Sequence, residues 1–184
     1  MESDVAEVQL RANIDAFIFN GDLPDDHPAI DLARQYARTR DPSLLSQLAH
    51  EGSLVERHEK HNLIVTVGRA VLANLLAGIT TYSGAVNYGA LGSSSTAVAN
   101  TDTQLGTEVY RKLFASRSTD GNNVAYIDFL YAAADTNGTY QEFGNFIDGT
   151  ASANTGQMFS HILTGGWTKT SAQTLFISCQ YTLS

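Results

Sequence analysis

The residues best suited to chemistry in this sequence are five histidines, nineteen Asp and Glu side chains, one cysteine, eight tyrosines and a single tryptophan. His58-Glu59-Lys60-His61 comes nearest to a metal motif. A zinc-protease helix needs histidines at i and i+4 with Glu after the first, so that both imidazoles reach one ion. Here the second histidine stands at i+3, position 62 is Asn, and no third ligand pattern follows. The run therefore reads as solvated chain, and His27, His50 and His161 are scattered. Gly89-Ala90-Leu91-Gly92-Ser93 has Leu where a nucleophile elbow carries its serine. No phosphate-loop pattern occurs either.

Glu108, Asp128 and Glu142 fall inside expected strands and are the carboxylates from which a glycosidase pair would be drawn. Sequence alone does not bring any two together. Glu108 and Arg111 form a natural ion pair, provided a bulge or loop turns them to the same side. Asp120-Gly121-Asn122-Asn123 and Asp135-Thr136-Asn137-Gly138 offer oxygen ligands for Ca²⁺, but neither runs on to a bidentate Glu. Asx turns account for both. Cys179 is alone, which excludes an intrachain disulfide, and it reads as a small apolar group. No metal site, no cofactor and no enzymatic activity are expected.

The aromatics are the better lead, because the chain is only 16% charged. Trp167, Tyr82, Tyr88 and Tyr140 are candidates for an assembly interface or a sugar platform, since such rings combine large contact area with a polar tip.

The elements that must carry these residues fall in two regions. Residues 1–62 hold 12 acids against 6 Lys and Arg, whereas residues 63–184 hold 7 against 5 over twice the length. In the first region Ser3 is a plausible N-cap of a helix carrying Val5, Val8, Ala12 and, near its end, Phe17 and Phe19, with Asn20-Gly21 as the stop. Pro28 opens a second helix with Ile30, Ala33, Tyr36 and Ala37 on one stripe. Asp41-Pro42-Ser43 opens a third, with Leu44, Leu45 and Leu48 on its apolar face and Gly52 at its end. Helices this short need a partner surface. Residues 1–60 are therefore expected to be a helical docking region, with Val5, Val8, Phe17, Phe19, Leu44, Leu45 and Leu48 as its contact residues. Residues 53–61 fit strand or helix equally.

Asn62 looks like the N-cap of a mostly buried helix over 62–78. Arg69 near the middle of that apolar run argues against a membrane span. From Ile79 the period changes, and the candidate strands are Ala85–Leu91, Thr107–Arg117, Val124–Tyr131, Tyr140–Ile147, Gln157–Leu163 and Thr174–Leu183. The expected fold is α+β: short N-terminal helices, then a predominantly antiparallel, jelly-roll-like β-sandwich over 61–184. A net charge of −8 argues against nucleic acid and anionic membranes as partners. The first residues lack a basic region followed by an apolar run, so no secretory signal is expected.

Four blocks, taken in order, resemble segments of small tailed-bacteriophage structural proteins: His61 to Arg69 followed by Leu72–Leu76; Tyr88 to Lys112 with its Asp102-Thr103-Gln104-Leu105 and Glu108-x-x-Arg111; Gln141 to Phe146; and Lys169 to Leu175. The resemblance covers residues 61–184. It implies a non-enzymatic virion part (capsid decoration, neck or collar, baseplate or fibre base) that forms homo-oligomers, contacts other virion proteins and assembles in the host cytoplasm. It transfers no catalytic residues. The alternatives from the residues are a module that binds a surface glycan through Trp167 and tyrosines, and, more remotely, a glycosidase.

Overall fold

The computed structural model describes residues 9–184. In chain order the elements are β1 (Leu10–Asn20), α1 (Pro28–Thr39), α2 (Pro42–Glu51), β2 (Leu54–His61), β3 (Leu63–Ile64), α3 (Thr66–Leu76), β4 (Val86–Gly92), β5 (Glu108–Leu113), β6 (Ser116–Thr119), β7 (Val124–Tyr131), β8 (Gly138–Ile147), β9 (Gln157–Lys169) and β10 (Gln173–Leu183). Two antiparallel sheets of five strands each have the orders β2-β1-β10-β7-β6 and β3-β9-β8-β4-β5. The expected α+β, sandwich-like fold is the observed one.

Period-two alternation decides which side chains fill the space between the sheets. Ile127, Phe129 and Tyr131 of β7 and Leu175, Ile177, Cys179 and Tyr181 of β10 point into it, as the alternation predicts. Asp128, Phe176 and Ser178 point to the opposite face, where α1 and α2 lie. Both helices form as expected. Asp41 accepts the Ser43 N–H as the α2 cap, Gly52 ends that helix in the left-handed region, and Ile30, Ala33, Tyr36 and Ala37 are buried along α1.

Three expectations are corrected. The first helix is a strand: β1 runs Leu10–Asn20, between β2 and β10. Ala12, Ile14, Ala16 and Ile18 alternate into the main core, while Phe17 and Phe19 point outward under α1 and α2. An Ile-Phe-Ile-Phe sequence favours a pleated surface buried on both faces, and tertiary pairing overrides the weak helical spacing. Val5 and Val8 lie outside the described residues. The boundary drawn at residue 60 runs through one sheet, because β1 and β2 supply two of its five strands. Residues 53–61, left open between strand and helix, are extended.

The third correction concerns the helix over 62–78. Leu63 and Ile64 instead pair with His161 and Ser160 of β9, and Asn62 donates to Ser160 Oγ at 2.6 Å rather than capping a helix. The helix starts at Thr66, and only Gly68 and Val71 of it are buried. Gly68 is required there, because a Cβ would land on the Phe159 carbonyl oxygen. β9 also outruns its expected end: Gly165 and Gly166, both at positive φ, form a bulge opposite β8 instead of a turn.

Candidate functional site

Each carboxylate that sequence offered for catalysis is held by its own partners, Asp128 and Glu108 by arginines and Glu142 by His161 and backbone N–H groups. Asp128 sits on the outer face of the first sheet, fully buried, and accepts from Arg34 Nε at 3.0 Å, Arg38 Nη2 at 3.3 Å, and the Ser116 and Ser178 hydroxyls at 2.7 Å each. Nearby Asp15 accepts from Arg40 at 2.7 Å. Burial pushes the Asp15 carboxyl above its ordinary range, against the pull of Arg40. These two buried acids anchor α1 and the residue that follows it to the sheet. Removing one partner of such a pair leaves a buried charge uncompensated, at a cost of about 3–5 kcal/mol.

Glu108 takes a two-point hydrogen bond from Arg111, at 2.5 and 2.7 Å, beside the bulge at Leu91/Gly92. The sequence required such a bulge for this pair. Arg111 Nη1 donates to the Thr150 and Thr155 carbonyls, and the guanidinium lies 4.7 Å from the Phe146 ring centroid. The arrangement fixes the loop after β8.

Glu142 ends on the outer face of the second sheet. It accepts the backbone N–H groups of Ser94, Gly106 and Thr107 and meets His161 Nε2 at 2.9 Å. His161 Nδ1 is 2.8 Å from Asp102. The chain between β4 and β5 is thereby strapped across the sheet, and Leu105 packs under it with Val65, Ala90, Phe146 and Met158. A cavity of about 70 Å³ remains beside His161, and the buried Gln104 Oε1 near it has no hydrogen-bond partner.

The remaining motifs are also absorbed. His58 and His61 alternate on a strand: His58 is 6.0 Å from the Trp167 ring, while His61 meets Asn13, so the two cannot share an ion. Asp120 accepts the Asn122 and Val124 N–H groups, as an Asx turn does. The carbonyls of the Asp135 loop hold a side chain instead of a metal: Lys169 Nζ, buried, donates to Ala133 O, Thr136 O and Asn137 Oδ1 at 3.0–3.2 Å. Burial pulls the Lys169 ammonium below its ordinary value. Cys179 is buried between the sheets and its thiol is pushed up by burial. Asn145 beside it donates to the Tyr181 hydroxyl.

The predicted interface residues fare differently. Trp167 and Tyr140 are buried in the main core, and Tyr82 is half-buried against it. Tyr88 is half-buried beside Phe146, under Arg111. These four do not form an open sugar platform; their apolar bodies fill the sandwich. Phe17, Phe19, Leu44 and Leu48 are buried, and Leu45 packs against the same cluster, between the sheet and the two helices. The apolar faces of α1 and α2 are satisfied within the chain and are not free to dock elsewhere.

α3, which sequence placed in the core, ends in exposed apolar side chains. Leu76 is 92% exposed and Ile79 50%. Leu72, one turn before Leu76, lines a cleft of about 330 Å³ with Val86, Ile127, Phe159 and Tyr181, and Arg117 stands at its wall. A helix apolar on most sides is normally buried. Sequence reasoning missed this surface because the Leu72–Leu76 run carries the same signal whether a partner or the chain itself covers it. Among the described residues no helix is long and apolar enough to cross a membrane. No family model, curated protein or solved structure matches the chain.

Proposed function

We propose that this chain is a structural part of a tailed-bacteriophage particle, working by protein contact in the assembled virion. The single observation that carries the reading is the exposed apolar end of α3, with Leu76 and, three residues on, Ile79 in solvent, on a helix whose Leu72 lines an apolar cleft. Contiguous exposed apolar surface marks a docking site. The phage-like blocks over residues 61–184 supply the identity of the partner class, another virion protein. The ion pairs of Asp128 and Glu108 and the hydrogen bonds of Glu142 support a mechanical role, since each holds a loop or helix in place.

The docking surface differs from the one the sequence indicated. α1 and α2 use their apolar faces against β1 and β10, so attachment falls to α3 and the cleft. A Leu76→Asp, Ile79→Asp double variant tests this. It is expected to fold with an unchanged circular-dichroism spectrum, yet to be left out of particles assembled in competition with the unmodified chain. Equal incorporation of the two chains would reject the surface.

A further inference from the structure

β2 is the edge strand of the first sheet, and its middle reads Glu56-Arg57-His58-Glu59-Lys60. Reversed, that pattern sets each charge against its opposite. Asn62 N–H donates to Ala12 O, and the register pairs Ile14 with Lys60, Ala16 with His58 and Ile18 with Glu56. Hydrogen-bonded pairs alternate along an antiparallel ladder. Lys60, His58 and Glu56 therefore turn their backbone groups to β1, and Arg57, Glu59 and His61 turn theirs to the open side. No backbone group among the described residues pairs with them there. An open edge of this kind is a template for another strand.

We propose that two copies of this chain associate antiparallel through β2, about a twofold axis at His58, joining their first sheets into one. The edge restricts the register, because hydrogen-bonded partners across the axis must come from residues 57, 59 and 61. Arg57 opposite itself stacks like charges. Glu59 opposite itself does the same and also sets His58 against Lys60. The register between them places Arg57 opposite Glu59 and Glu56 opposite Lys60 of the second copy, on both sides of the axis, and only His58, on the axis itself, faces its like. Opposite charges directly across a sheet are favourable and like charges unfavourable. A twofold contact is self-complementary by construction, and this sequence meets that condition at Glu56, Arg57, Glu59 and Lys60. Within one copy Glu56 already meets His58 and Glu59 already meets Arg57, but each keeps about half its side-chain surface in solvent, at 52% and 46%, for a second contact across the axis.

The inference does not depend on the particle reading, and the full-length chain in dilute buffer tests it without any virion. Sedimentation equilibrium is expected to give a monomer–dimer equilibrium that weakens as salt rises. Glu56→Lys and Lys60→Glu should each weaken it about tenfold or more, because two symmetry-related contacts turn repulsive. The double swap, Glu56→Lys with Lys60→Glu, should restore it. Hydrogen exchange of the unmodified chain should slow at Arg57 and Glu59 as concentration rises. A monomer at all concentrations up to about 1 mM, a dimer indifferent to both single variants, or unchanged exchange at Arg57 and Glu59 would overturn the proposal.

Discussion

Glu142 and His161 face each other across β8 and β9, Oε2 to Nε2 at 2.9 Å, and the same carboxylate gathers three backbone N–H groups of the chain between β4 and β5. One buried side chain thus ties both ends of a fifteen-residue connection (93–107) to the sheet. Glu142→Gln keeps the shape and replaces one acceptor oxygen with an N–H₂ donor. It is expected to cost about 3 kcal/mol in chemical denaturation and to open residues 93–107 to limited proteolysis. An unchanged midpoint and cleavage pattern would mean that Leu105 packing alone holds the strap.

Phe17 and Leu48 meet in the layer between the first sheet and the two helices. Truncating either to Ala leaves a cavity and is expected to cost about 3 kcal/mol. Both variants should retain any partner binding in proportion to the folded fraction. Loss of binding from a fully folded Leu48→Ala protein would restore α2 as a docking element.

Gly68 lets α3 lie against the backbone of β9 at Phe159. Gly68→Ala should destabilise the fold by about 2 kcal/mol through overpacking, despite the better helix propensity of Ala. A rise in thermal midpoint would show that α3 can shift outward without loss.

Asp135 gives a pH signature. Burial alone would raise its carboxyl, but the Lys112 ammonium, the Ala132 N–H and the Tyr110 hydroxyl outweigh that and hold it below its ordinary value. A carboxyl held low in the folded chain stabilises it above the unfolded pKa of about 3.9, and that contribution is lost as pH falls through the folded value. Asp135→Asn should therefore be less stable than the unmodified chain at neutral pH, and the gap should close below about pH 4. Urea midpoints across that range measure it. A gap independent of pH would assign the loss to hydrogen bonding alone.

Much of the second half was legible because its signals are local. Val124–Tyr131 alternates cleanly, the Asp120 turn shows its Asx residues, and Asp41-Pro42 announces α2. β1 was not legible, since a strand buried on both faces has no polar side to reveal its period: Ile14 and Ile18 serve one core, Phe17 and Phe19 another. The site was less legible than the fold. Trp167 and Tyr140 have the composition of an interface, and only the three-dimensional packing shows them inside the sandwich. The pairings of Asp128 with Arg34 and of Glu142 with His161 join residues 94 and 19 positions apart, which no sequence spacing announces. Glu108 with Arg111, three apart, was visible.

The proposed virion role is tested by mass spectrometry of tailed-phage particles purified on a density gradient from a host that produces this chain. A virion part is expected in the particle band at a fixed ratio to the major capsid protein, retained through high-salt washing. Recovery of the chain only in the soluble fraction, with none in the washed particles, would contradict that role.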